Sequence, residues 1–528
     1  MPTLDWIGKS KVINHHLEVP YRVLDRKYSF DDRGQHQDDN GSENMIIHGD
    51  NLEALKSLLP KYEGRVRLCY IDPPYNTGEE GWIYNDNVND PRIQKWLGEV
   101  VGKEGEDLSR HDKWLCMMYP RLRLLQKLLA DDGAIFISIG DDENASLKLL
   151  CNEIFGESNF VDTIIWQKIY TVKNSAKYFS GMHDYIVVYA KDKEKFHRNL
   201  FPRTEELDST YSNPDNDPRG PWTTNAVQAR NYNGAGQYVI VSPYGREFRP
   251  PAGTYWRVSE STFQELNKDN RIWWGQDGHS VPRIKRFLSE AKQGVVPTTL
   301  WSYKEAGQNA DAKIEVRNIF GGEKIFNTPK PTRLIERILQ IASDQNSIVL
   351  DSFAGSGTTA HAVLNMNKVD GGNRKFILVE MGDYADSITA ERLKRVISGY
   401  ESEKNTITGT PGTFSYYELG PTLMIGDNLN EAVPVSKIRE YVFYSETKQP
   451  LPPVSYMEPY LLGTYVGNAF YFYYEKEQIT TLNRDFLHTV QTHADAYVIY
   501  ADLCTLSEVE MEKYHITFKK IPRDISRL

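Results

Sequence analysis

Two short apolar runs, each ending in an aspartate, constrain this chain most. Residues 66–71 run into Asp72, and residues 347–350 run into Asp351. Runs of four to six apolar residues bounded by turn formers read as buried strands. Similar runs occur at 45–47, 134–139 and 376–379. Between them the 3.6-residue period predicts helices at 51–59, 121–129, 332–343, 358–366 and 388–398. Strands alternating with helices imply an α/β fold, a mostly parallel sheet covered on both faces. Ligands of such sheets bind beyond the carboxyl ends of the strands, where both aspartates fall.

The texture changes along the chain. Residues 1–44 read as a polar N-terminal extension, and 45–194 as the first half of an α/β core. Residues 195–325 are rich in Pro, Gly, Asn, Trp and Tyr, and 326–403 resume the α/β pattern. A linker is expected at 404–429, and a small C-terminal domain at 430–528, with strand-like runs at 465–474 and 496–500. Residues 195–330 hold 19 Lys and Arg against 15 Asp and Glu, in a chain of net charge −10. A locally basic, aromatic-rich insert thus interrupts an acidic protein. The overall charge disfavours a purely electrostatic nucleic-acid binder but leaves room for a basic groove. No apolar run approaches the roughly 20 residues of a membrane span, so a cytoplasmic location is expected. The four cysteines lack zinc or disulfide spacing, and His15, His16, His48 and His111 have no ligand spacing. No metal site is expected.

Asp72-Pro73-Pro74-Tyr75 follows a strand directly. A rigid turn is the plain reading, but chemistry accounts for all four residues. The exocyclic amine of a base is a poor nucleophile, its lone pair being delocalised into the ring. The Asp72 carboxylate can accept one of its N–H groups and the Pro73 carbonyl the other. Two prolines keep those acceptors aimed, and Tyr75 offers a face for stacking. The second string, Asp351-Ser352-Phe353-Ala354-Gly355-Ser356-Gly357-Thr358-Thr359, passes from strand to helix. Its glycines allow close backbone approach and the helix start supplies free N–H groups. Glu380 ends the next strand, where an acid can accept both ribose hydroxyls of a nucleoside cofactor. A phosphate-binding loop is absent: Gly8-Lys9-Ser10 lacks the earlier glycine, since Thr3 stands there.

Together, Phe-x-Gly-x-Gly and Asp-Pro-Pro-Tyr resemble the amino-methyltransferases of DNA that use S-adenosylmethionine. With the Asp72 strand first, the Asp351 strand second and the basic insert between, the order resembles the beta class. The resemblance implies a Rossmann-like methyltransferase fold with circularly permuted motif order, an inserted target-recognition domain and a small C-terminal domain. It implies S-adenosylmethionine held by Asp351, Phe353, Ala354, Gly355, Ser356, Gly357, Thr358, Thr359 and Glu380. Lys330 and Asp50 match segments near that cofactor, and Trp166, or a nearby aromatic, would be a second wall of the base pocket. More narrowly, Trp166, His183-Asp184-Tyr185, Gly220-Pro221-Trp222, Trp301 and residues 516–525 resemble the Mod subunit of type III restriction–modification systems. That implies double-stranded DNA as substrate, a homodimer, and an ATP-dependent restriction (Res) subunit as partner, in a bacterial, DNA-associated setting. An adenine-N6 methyltransferase is expected. A cytosine-C5 enzyme would need a Pro-Cys nucleophile, which is lacking. Cytosine-N4 enzymes of this class more often carry Ser in place of Asp72. In the insert, Arg230, Arg246, Arg249, Arg257, Arg283 and Lys285, interleaved with Trp256, Trp273 and Trp274, are the candidate DNA contacts. The alternative is a small β-rich domain with its Trp in the core and its Arg solvated. A subunit serving mainly recognition and docking is the competing reading of the whole chain. An RNA or protein methyltransferase is a third.

Overall fold

The computed structural model describes residues 4–77, 95, 99, 110–292, 294–402, 405–453 and 457–523. It divides into two compact units. The larger, Met1–Asn199 with Thr298–Leu528, is built on an 11-stranded sheet. Its strands are β1 (Arg22–Asp31), β2 (Gly34–His36), β3 (Met45–His48), β4 (Val66–Ile71), β5 (Leu129–Ile139), β6 (Phe160–Gln167), β7 (His183–Ala190), β8 (Leu300–Trp301), β9 (Ile348–Asp351), β10 (Lys375–Glu380) and β11 (Phe414–Thr422). Their order is β8-β6-β7-β5-β4-β9-β10-β3-β11-β1-β2. The centre is parallel, and β7, β1 and β2 bring antiparallel pairing towards the edges.

Helices α1 (Asn51–Tyr62), α2 (Arg110–Leu128) and α3 (Asp141–Phe155) share one buried core with Val66, Cys69 and Ile71 of β4. Helices α4 (Thr332–Ala342) and α5 (Thr358–Asp370) stay outside that core and pack on each other, α4 also against β4 and β5. The sheet is therefore covered on both faces, as its apolar strands require. From β4 the chain proceeds to β5 on one side, and from β9 to β10 on the other. Because Leu68 pairs with Val349 and Cys69 with Leu350, β4 and β9 are neighbours. The topological switch lies between them, and both aspartates stand at its carboxyl edge.

Three sequence expectations change. The N-terminal extension contributes β1, a ten-residue strand whose Tyr28 stacks on Tyr416 of β11 at 5.0 Å. Charged Asp25, Arg26 and Lys27 mask its apolar alternation. The expected linker contains β11, which joins the sheet beside β3. The 465–474 run is a hairpin, Leu461–Tyr465 to Asn468–Phe472, turned at Val466 and Gly467, both with positive φ. That hairpin belongs to a separate four-stranded sheet with Ala496–Ala501 and Ile516–Lys520.

The second unit, Leu200–Pro297, lies within the expected insert. Its core gathers Val227, Trp256, Phe263, Trp274 and Ile284. Among the described residues no helix is long and apolar enough to cross a membrane, and no His, Cys, Asp and Glu cluster could hold a metal ion.

Candidate active site

Strand β4 delivers Asp72 into a loop held from below. The indole N–H of Trp114 on α2 donates to the Pro74 carbonyl at 2.7 Å. Asn76 sits at φ 58°, a left-handed geometry that asparagine tolerates better than most residues. Its amide donates to the Arg110 carbonyl at 3.1 Å and to Glu143 Oε1 at 2.5 Å. His111 Nδ1 donates to the same Glu143 oxygen at 2.7 Å, and the Glu143 side chain is wholly buried. His111 is thus a structural histidine. Gly140, after β5, lies against the Tyr75 ring; a Cβ there would stand 3.0 Å from Tyr75 Cδ2. Burial pushes the Tyr75 phenol well above its usual range, and the nearby Asp72 charge adds to this.

Asp72 Oδ2 is bound by Lys330 Nζ at 2.5 Å. Its other oxygen, Oδ1, is buried and takes no hydrogen bond among the described residues. An unpaired buried carboxylate oxygen is costly, so it can take a donor. The Tyr75 hydroxyl, buried and likewise without a hydrogen-bond partner among the described residues, interacts with this same carboxylate. Lys330 Nζ also sits 5.1 Å from the Tyr75 ring centroid. A second pair stands close by: Lys168 Nζ to Asp184 Oδ1 at 2.6 Å. Burial raises the Asp184 pKa, Lys168 and Lys330 oppose this, and the Asp72 charge adds to the rise. Two carboxylates and two ammonium groups therefore share this end of the sheet.

Strand β9 delivers Asp351 into the glycine loop. Asp351 is buried, and both its oxygens are engaged within the loop: the Phe353 N–H donates at 3.0 Å and the Thr359 hydroxyl at 2.5 Å. Burial lifts its pKa to about 7 against those two donors. Glu380, buried at the end of β10, accepts the N–H groups of Gly355 at 2.7 Å and Gly382 at 2.8 Å. Desolvation raises its pKa while those bonds lower it. Gly355 and Gly357 have φ of 53° and 79°, and a Cβ on Gly357 would crowd the Thr389 carbonyl at 3.1 Å. The guanidinium of Arg392, fully buried, donates to Ser356 Oγ and Thr358 Oγ1 at 3.0 and 2.9 Å. Ser352 Oγ is buried with no hydrogen-bonding partner among the described residues.

Lys330 joins the two loops. Its carbonyl accepts the Thr358 hydroxyl at 3.1 Å while its ammonium holds Asp72. It was assigned from sequence to the cofactor segment alone. Asp50 caps α1 by accepting the N–H groups of Leu52 and Glu53, with Arg121 3.5 Å away. Two expected DNA contacts lie elsewhere than foreseen. Trp166 is wholly buried and its indole donates to the Gly307 carbonyl at 2.9 Å, so no base can reach its ring in this arrangement. Lys285 is buried and ion-paired with Asp215 and Asp217. By contrast, Arg230, Arg246, Arg249, Arg257 and Arg283 are exposed. Sequence reasoning missed the supporting roles of Trp114, Glu143 and Lys168, none of which belongs to a motif, and of Asn76, which continues the Asp72-Pro73-Pro74-Tyr75 string. A cavity of about 190 Å³, lined by Tyr62, Arg65, Ile348 and Lys375 among others, opens at the opposite strand ends, away from both loops.

A family model for DNA methylases (N6_N4_Mtase) matches residues 66–406. The chain is 36% identical over 415 residues to the type III restriction-modification enzyme StyLTI Mod subunit of Salmonella typhimurium LT2, covering 74% of this chain and 62% of that protein. It is 32% identical over 429 residues to the EcoPI Mod subunit of Escherichia phage P1, covering 72% and 63%. It is 31% identical over 356 residues to the type II methyltransferase M.KpnI of Klebsiella pneumoniae, covering 63% and 80%. The chain therefore spans less than two thirds of the length of the first two. Among solved structures, the cytosine-N4-specific PvuII DNA methyltransferase aligns at 13% identity over 66% of this chain and 86% of that one, with a TM-score of 0.35, too low to carry further inference.

Proposed function

This chain belongs to the DNA methylase family, and we propose that it methylates N6 of an adenine turned out of double-stranded DNA, as the modification subunit of a type III restriction–modification system. The observation that carries this is the Asp72 carboxylate. It has one free buried oxygen, sits on a clamped Pro-Pro turn, and stands across one strand boundary from a glycine loop.

S-adenosylmethionine fits the second loop. The two left-handed glycines leave no room for side chains, the Ser352 hydroxyl lies buried without a partner, and a buried acid closes the floor. Residues 352–357 would hold it, Glu380 would accept the ribose hydroxyls on lone pairs left beside its bonds to the Gly355 and Gly382 N–H groups, and the cofactor would supply an electrophilic methyl group. Asp351 and Thr359 keep the loop in shape. At the other loop, Asp72 Oδ1 would accept one N6–H and the Pro73 carbonyl the other. Both draw electron density onto the nitrogen before attack. Tyr75 stacks on the base. Transfer would form the N–C bond while the donor's methyl–sulfur bond breaks with its electron pair kept on sulfur, and one N6 proton would leave to solvent or to Asp72. Much of the acceleration is positioning. Adenine is favoured over cytosine by Asp at the head of the motif. Pairing with a Res subunit and with a second copy is part of this reading; the names of the Mod relatives support only that such chains are subunits of a larger enzyme.

Purified Asp72→Ala, assayed for tritiated methyl transfer to duplex DNA, should lose about 100-fold or more of its rate while still binding the cofactor. Full activity overturns the assignment. Sequencing of DNA from cells expressing this chain alone should show N6-methyladenine, and N4-methylcytosine instead would correct the substrate. A chain that recognises DNA and copurifies with an ATP-dependent nuclease, yet methylates nothing, would favour the docking reading.

A further inference from the structure

The connection between β6 and β7, residues 168–182, is locally basic within an acidic chain. It contains three lysines, Lys168, Lys173 and Lys177, and no Asp or Glu. Its tip carries Tyr178 and Phe179, which are 79% and 96% exposed. An aromatic pair left this bare, on a segment that could have turned it inwards, lacks the partner that would shield it.

The segment is braced and not merely loose. The N–H groups of Lys168 and Ile169 donate to the Met182 carbonyl at 3.0 and 3.3 Å, closing the base. The Lys173 N–H donates to Ser180 Oγ at 2.9 Å, tying the two arms together. Tyr170 stacks on Tyr303 at 5.3 Å. Lys177 Nζ sits 5.1 Å from the Tyr178 ring centroid. Topology fixes where the tip emerges. β6 runs parallel to β4 and β5, and β7 returns antiparallel to β5, with Tyr185 opposite Ile139. The connection therefore leaves the sheet at the edge that holds Asp72 and Asp351. Its base reaches the site itself, since Lys168 pairs with Asp184, whose carboxyl feels Lys330 and Asp72.

We propose that this connection is a wedge for duplex DNA: Phe179, flanked by Tyr178, fills the gap that the extruded adenine leaves in the base stack. The inference rests on the functional reading above and adds to it the element that opens the duplex. Planar apolar side chains inserted between base steps replace part of the lost stacking. Asp184 absorbs the Lys168 charge, which leaves Lys173 and Lys177 to meet the phosphates on either side. The charge pattern selects DNA over a protein face, because the segment carries cations alone and the edge it occupies is the one where the base must arrive.

The test uses the full chain and a duplex oligonucleotide bearing the site that sequencing identifies, with 2-aminopurine in place of the target adenine. Phe179→Ala should reduce the fluorescence rise of extrusion, and methyl transfer to the adenine duplex, by about tenfold. Transfer to the same site with an abasic position opposite the target, already unstacked, should fall far less. Phe179→Trp should restore both. Equal loss on the paired and the abasic duplex overturns the wedge, as does an unchanged Phe179→Ala. Loss of copurification with another protein while extrusion stays normal also overturns it, and marks the tip as a protein-docking site. A wild-type chain that modifies no duplex overturns the functional reading and the wedge with it, whereas an active wild type with a silent Phe179→Ala removes the wedge alone.

Discussion

Asp72 and Asp351 end adjacent strands, yet their surroundings give them opposite tasks. Asp351 spends both oxygens inside its own loop, and burial raises its pKa to about 7. An acid whose folded pKa exceeds its unfolded one binds more protons when folded. Its contribution is most favourable at low pH and is lost as pH rises from about 4 to about 7, at roughly 1.4 kcal/mol per unit of difference. Asp351→Asn should therefore flatten the pH dependence of stability across that window. Urea denaturation at pH 5 and pH 7.5 checks this, and an unchanged slope would count against it. The motif residues themselves were legible, because strand, turn and residue type coincide in them. Their neighbours were not. Lys330 reaches Asp72 across 258 positions of sequence. Lys285 reads like the arginines beside it, but strand pairing turns it inwards with Phe287, where Asp215 and Asp217 neutralise it. Burial of that kind is not written in local pattern.

Among the elements, α2 shows why a site needs more than its motif. The sequence reading starts this helix at Arg121, directly after Pro120, a residue that lacks the N–H a helix interior uses. The helix runs through Pro120 and is described back to Arg110, because Trp114, Leu115, Met118 and Leu122 bury its inner face. Tertiary packing outweighs one lost bond. That earlier turn is the one that matters for chemistry, as Trp114 holds the Pro74 carbonyl. Trp114→Phe should cost about 1–3 kcal/mol of stability through the lost hydrogen bond and the space left behind. It should also lower methyl transfer beyond that loss, because the turn can then reorganise. Rates measured well below the melting temperature separate the two effects; a destabilised variant with wild-type turnover would show that the indole only fills space. Most core strands were readable within two residues, since continuous apolar runs suit a sheet covered on both faces. β1 and β11 were not: charged residues interrupt the apolar alternation of β1, and register shifts break the β1–β11 pairing.

For the molecule as a whole, the second unit is nearly neutral, with 12 Lys and Arg against 11 Asp and Glu, and what distinguishes its cations is which are paired. In Leu200–Pro297, Asp217, Asp269 and Glu290 pair with Arg219, Arg271 and Lys285, while Arg230, Arg249 and Arg286 have no ion-pair partner among the described residues. If these arginines meet phosphates, Arg249→Ala should weaken binding to all duplexes alike and reduce the salt slope of the affinity by about one. Titrations at several salt concentrations read this, and a loss confined to one sequence would point to base contact instead. The sequence announced a basic aromatic insert but not which cations were spent internally. One bond pattern has a further consequence. With its carbonyl on Thr358 and its ammonium on Asp72, Lys330 makes the two halves of the site partners in a single equilibrium. If displacing that ammonium alters affinity at the glycine loop, reciprocity demands an equal effect in return. Donor and nucleic acid should thus bind with measurable heterotropic coupling, which Lys330→Met would abolish.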